Sequence, residues 1–110
     1  MFIAAFVSRN NKYDAFYSAD GQWLKTEMKI ALTRGLPPAI SQAFKKSEFA
    51  GWHITGIRKL ELPGQYLYIV RVESGSSHDR GHYKLHITNM LYFNPEGRLI
   101  EIDKEQPGPR

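Results

Sequence analysis

The chain has 110 residues, 42% of them hydrophobic and 24% charged, which is the composition of one folded domain built round one core. It contains no cysteine, which excludes disulfides, thiolate metal sites and cysteine nucleophiles. The formal net charge of +4 points towards an acidic partner, yet the basic residues are scattered, with Lys45-Lys46 and Arg58-Lys59 the densest groups, so nucleic acid is disfavoured as a partner.

In chain order, the apolar start Phe2-Ile3-Ala4-Ala5-Phe6-Val7 has no basic residue in a preceding segment and is too short for a secretory signal, so it reads as a strand. No stretch approaches a membrane span, which takes ~20 apolar residues. Strand-like runs at 2–9 and 12–19 are separated by Asn10-Asn11, and asparagine tolerates the left-handed turn. Asp20-Gly21 marks the next hairpin. In the run that follows, Leu24, Thr26, Met28, Ile30 and Leu32 share one face, and Trp23, Lys25, Glu27, Lys29 and Ala31 the other. The first set is expected to lie under a helix and the second to face water.

Arg34-Gly35 breaks that strand, and Pro37-Pro38 suits the first turn of a helix expected over 37–49. Ile40, Ala43 and Phe44 recur at helical spacing, opposite Ser41, Gln42, Lys45 and Lys46. Gly51 is the expected terminator. Strands follow at 52–62 and 65–73, joined by Pro63-Gly64. A polar loop, 74–81, is expected to be mobile. A strand at 82–93, a turn at 94–97 and a last strand at 98–103 complete the order β-β-β-α-β-β-β-β. The expected fold is α+β, a curved antiparallel sheet with one helix packed on one face. It forms a single domain, 1–105, with a disordered tail at 106–110 that has nothing to bury.

The segment from Phe16 to Leu24 can be laid on the segment from Tyr92 to Ile100. Each has two aromatics, a short polar link, an acid–glycine turn, one polar residue and two apolar ones. Together with Leu36-Pro37-Pro38-Ala39-Ile40, the exit at Phe49-Ala50-Gly51, the pattern from Ile54 to Lys59 and the pattern from Gly64 to Val70, this motif order resembles the PepSY-like, β-lactamase-inhibitor-like (BLIP-like) proteins over roughly 12–103. The resemblance implies a periplasmic or secreted protein of Bacteroidetes type, without catalytic residues. It also implies a helix across an antiparallel sheet and a concave face that holds a protein partner. Members carry a signal peptide and a helix before the first sheet segment. This sequence shows neither, and the expectation is a trimmed first unit.

The candidate sites compete with ordinary structural roles. His82 and His86, four apart on a strand, stand about 13 Å apart, too far for one zinc ion. The acidic residues sit mainly in turns or on wet faces, and Ser74, Ser76 and Ser77 lack a nucleophile elbow. No metal, cofactor or catalytic set is expected, and the chain reads as non-enzymatic. The wet sheet face is the candidate partner surface, with Trp23, Lys25 and Lys29 from one strand and Lys84 and His86 from another. A protein or peptide is the expected partner. Self-association into a homodimer, or RNA binding through the basic aromatic face, are the alternatives. The second lacks the paired aromatics of an RNA-recognition motif.

Overall fold

The computed structural model describes residues 1–74 and 87–105. Seven strands, β1 (Phe2–Ser8), β2 (Asn11–Tyr17), β3 (Trp23–Ile30), β4 (His53–Leu62), β5 (Gln65–Glu73), β6 (Thr88–Phe93) and β7 (Leu99–Glu105), form one sheet. The helix α1 (Pro38–Lys46) lies between β3 and β4 in sequence. Each strand pairs antiparallel with its neighbour in the chain, so the sheet is an open meander of the expected α+β order. The expected mobile loop, the start of the strand at 82–93 and the tail at 106–110 lie largely or wholly outside the described residues.

Local chemistry sets the connections. Arg9 and Asn10 take positive φ, 52° and 67°, which matches the twist of a two-residue hairpin turn between β1 and β2. The two acid–glycine turns are built alike. The Ser18 and Asn94 N–H groups donate to the carbonyls of Gln22 and Arg98, at 2.8 and 2.9 Å. Gly21 and Gly97, at φ 88° and 92°, donate back to Ser18 and Asn94. A β-bulge follows in both hairpins, at Phe16/Tyr17 and at Tyr92/Phe93. Ser18 Oγ donates to the Asp20 carboxylate, which holds that carboxyl below its ordinary value.

Helix α1 is shorter than its sequence pattern. It stops at Lys46 because Ser47 turns the chain: its N–H and Oγ both donate to the Phe44 carbonyl, and Phe49 N–H donates to Ser47 Oγ. Gly51 therefore is not the terminator. Lys45 and Lys46 fall in the last turn, where the helix dipole favours cations.

The core is at one end of the sheet. Ile40 and Phe44 of α1 pack with Phe49, with Val70 and Val72 of β5, and with Leu91 and Phe93 of β6. Trp52 closes this core edge-on to Phe49, with ring centroids 5.1 Å apart. The helix thus sits over β5 and β6, not over β3 as the alternation of 24–32 suggests. Leu24 and Leu32 are 41% and 50% exposed. Leu32 lies in a 3₁₀ turn, Leu32–Arg34, that carries the chain off the sheet towards α1. Among the described residues the other end of the sheet is a bare wing, and all of β1 is exposed, including Phe2, Ile3, Phe6 and Val7. The radius of gyration, 15.9 Å, exceeds the about 13 Å of a compact chain of this length, as a single-layer wing requires.

Candidate binding face

Residues directly opposite each other in an antiparallel pair share a face. Ile57, Val70 and Leu91 are opposite one another and form one row, which lies on the helix side because Val70 and Leu91 belong to the helix core. Their sequence neighbours therefore occupy the face without a helix. There Lys29 stands opposite Arg58, Arg58 opposite Ile69, Ile69 opposite Tyr92 and Tyr92 opposite Glu101. The β2–β3 register, carried one residue beyond the Tyr13–Met28 pair, puts Lys12 beside Lys29. One row across six strands thus runs from cations, through apolar side chains, to a carboxylate.

The middle of this face is a second apolar cluster. Leu60, Leu67 and Ile69 are buried, and Leu62, Met90 and Tyr92 pack against them. Among the described residues no helix or second sheet lies over them. The partly buried Leu62, Met90 and Tyr92 are the neighbours on the same face that shield them.

Ion pairs order the charges around it. Glu27 accepts from Arg58 Nη1 at 2.6 Å and lies 3.5 Å from Lys25 Nζ. The Lys25 ammonium also stands 4.7 Å from the centre of the Phe16 ring. Arg71 Nη1 donates to Glu73 Oε2 and to Thr55 Oγ1, both at 2.8 Å. At the other flank, burial first, then the charges of Asp103, Glu101 and Glu27, push the Tyr92 phenol above its ordinary value. Where the β1–β2 turn, the end of β3 and the start of β4 meet, a groove of about 620 Å³ opens beside Lys29, Arg58 and Ile69.

The five partner-contact residues expected from sequence separate into three groups. Lys25 and Lys29 lie on this face. Lys84 and His86 lie outside the described residues. Trp23 is on the other face: the bulge places it opposite Tyr17 while Lys25 stands opposite Phe16, so Trp23 and Lys25 point to opposite sides. Its indole Nε1 donates to the buried Thr26 hydroxyl at 2.8 Å. Sequence reasoning missed Lys12, Arg58, Ile69 and Tyr92. The signal available was the continuous apolar run Tyr66–Val70, since a strand apolar on both sides implies cover on both faces. Among the described residues no group of three histidine, aspartate or glutamate side chains could hold a metal ion. No helix among them is long and apolar enough to cross a membrane.

No protein-family model matches the chain, and no curated protein does. Solved structures do match. A BLIP-like protein from Bacteroides fragilis is 24% identical with a TM-score of 0.77, over 97% of this chain and 70% of that one. A DUF2874 family protein from Bacteroides uniformis is 21% identical with a TM-score of 0.77, over 93% and 69%. A Bacteroides eggerthii protein provisionally described as periplasmic is 18% identical with a TM-score of 0.74, over 93% and 68%. The chain shares its fold with these proteins.

Proposed function

We propose that this chain is a non-enzymatic binding module that holds a protein or peptide on the sheet face opposite α1. The observation that carries this reading is the second apolar cluster, Leu60, Leu67 and Ile69 with Met90 and Tyr92, on a face that no other element covers among the described residues. An apolar centre ringed by charge is the anatomy of a protein interface. Lys25 and Lys29 belong to its rim. The fold shared with a BLIP-like protein supports the same reading, as does the motif order resembling PepSY-like, β-lactamase-inhibitor-like proteins. A periplasmic or secreted location is part of the proposal, supported by the Bacteroides eggerthii neighbour.

The test places a charge in the middle of the face. Met90→Lys is expected to abolish capture of an envelope partner while the circular dichroism spectrum is retained. Lys46→Glu, in the last turn of α1, is expected to leave capture intact. Equal capture by the Met90 variant and the wild type would falsify the assignment of this face.

A second reading, self-association, is favoured by β1. This edge strand carries no charge between Phe2 and Ser8 and exposes apolar side chains on both sides, the features that invite strand pairing. An antiparallel pairing of two copies centred on Ala5 sets each Ala4 opposite the partner copy's larger Phe6 side chain, so bulk meets space. Sedimentation over a concentration range decides it: a monomer throughout removes this reading.

A further inference from the structure

Three cations stand side by side at one end of the row described above. Lys29 and Arg58 are directly opposite on one face, and like charges in that position destabilise a sheet. Lys12 adds a third on the same line. Arg58 is compensated by Glu27, whereas Lys12 and Lys29 have no carboxylate partner among the described residues. The groove there is also lined by Arg34 and by Arg71, which is paired with Glu73, and among the described residues no acidic side chain lines it. Ile69 and Met90 give it an apolar side that continues into the second cluster.

We propose that this groove docks an acidic segment of extended polypeptide, whose next residues lie apolar side down on Ile69, Met90 and Tyr92. The proposal rests on the reading that the open face binds protein, and it names the chemistry of the partner. Charge complementarity is the argument for the occupant. From Lys12 on β2 to Glu101 on β7 the row crosses five strand intervals, roughly 24 Å, the length of about seven extended residues. The charge order along it selects a segment that is acidic first, apolar next and basic last. A long polyanion fits poorly, because the row ends at Glu101, with Asp103 beside it on β7. That favours a peptide over a nucleic acid or an anionic membrane surface.

The test uses a short labelled peptide with two glutamates at one end, leucine in its middle and lysine at the other end, and a control with glutamine for glutamate. The expected result is binding that falls with salt, as for screened charges, and is at least about tenfold weaker for the control. Lys29→Glu is the informative variant. It replaces a repulsive cross-strand pair by an attractive one with Arg58, so it is expected to raise the melting temperature slightly while weakening the peptide roughly tenfold or more. Unchanged affinity in Lys29→Glu overturns the proposal, as does tighter binding of single-stranded RNA or anionic vesicles than of the acidic peptide. The two readings fail separately. If Met90→Lys loses an envelope partner and Lys29→Glu keeps it, the open face stands and the acidic segment falls. If neither variant matters, both fall.

Discussion

Gly21 and Gly97 occupy equivalent places in two turns with the same hydrogen bonds, the same sign of φ and the same bulge beyond. Around Gly97 the molecule is closed. A methyl group there would stand 2.6 Å from the Ala39 carbonyl oxygen of α1, and Leu99 beyond it packs on the helix core. Around Gly21 it is open. A methyl group there would meet no described residue within 4 Å, and Trp23, the counterpart of Leu99, is 37% exposed. Two acid–glycine segments make the same turn, and among the described residues only the one at Gly97 has a helix on it. Turn geometry is therefore a local property, whereas burial is decided by where α1 lands.

Substitutions can break that comparison. The largest effect is expected at the helix itself: Phe44→Ala, which empties the contact on β5 and β6, should cost about 3 to 5 kcal/mol in urea unfolding. Trp23→Ala at the open end, losing one hydrogen bond and partial burial, should cost about 1 kcal/mol. Similar losses at both would mean that the wing is as well packed as the core. Next comes the glycine pair. Gly21→Ala meets only the left-handed backbone penalty of about 1 to 2 kcal/mol. Gly97→Ala adds a backbone clash and should lose about 3 kcal/mol or more. Equal losses would show that α1 yields at Ala39 without cost.

The smallest effect is a pH dependence at Tyr92. Burial and nearby carboxylates raise its pKa above the ordinary value of 10.0, so the folded state holds the phenol proton more tightly than the unfolded chain does. That contribution is fully present below about pH 10 and is lost as pH rises through the raised folded value. Tyr92→Phe should remove this part of the alkaline loss. Melting temperatures of the two proteins at about pH 8 and about pH 11 should diverge in favour of the variant on the alkaline side. Parallel behaviour would place the phenol in ordinary solvent.

The strands were legible because their ends carry turn chemistry. The β5 bounds, Gln65–Glu73, follow from Pro63-Gly64 and from the polar residues after Glu73. The helix face was legible too, since Ile40 and Phe44 are both buried. Three things were hidden. The bulge after Gly21 reverses the side of Trp23, and one extra residue in a strand leaves no mark in its alternation. The seat of α1 on β5 and β6 is set by packing between distant segments. The row of Lys12, Lys29 and Arg58 depends on registers between strands, whereas alternation reports only the two sides of one strand. Lys25 and Lys29 kept their shared side because both lie beyond the bulge.

The strict chain-order meander has a consequence for how the molecule opens. Among the described residues β1 bonds only to β2 and has no packed layer over it, so it can peel away without disturbing a pair elsewhere in the sheet. β5 lies inside the sheet, next to the helix core on one side and the Leu60 cluster on the other. Amide exchange should accordingly fall in a gradient, fastest along β1 and slowest in β5, with the cationic row at the boundary between the part that breathes and the part that does not.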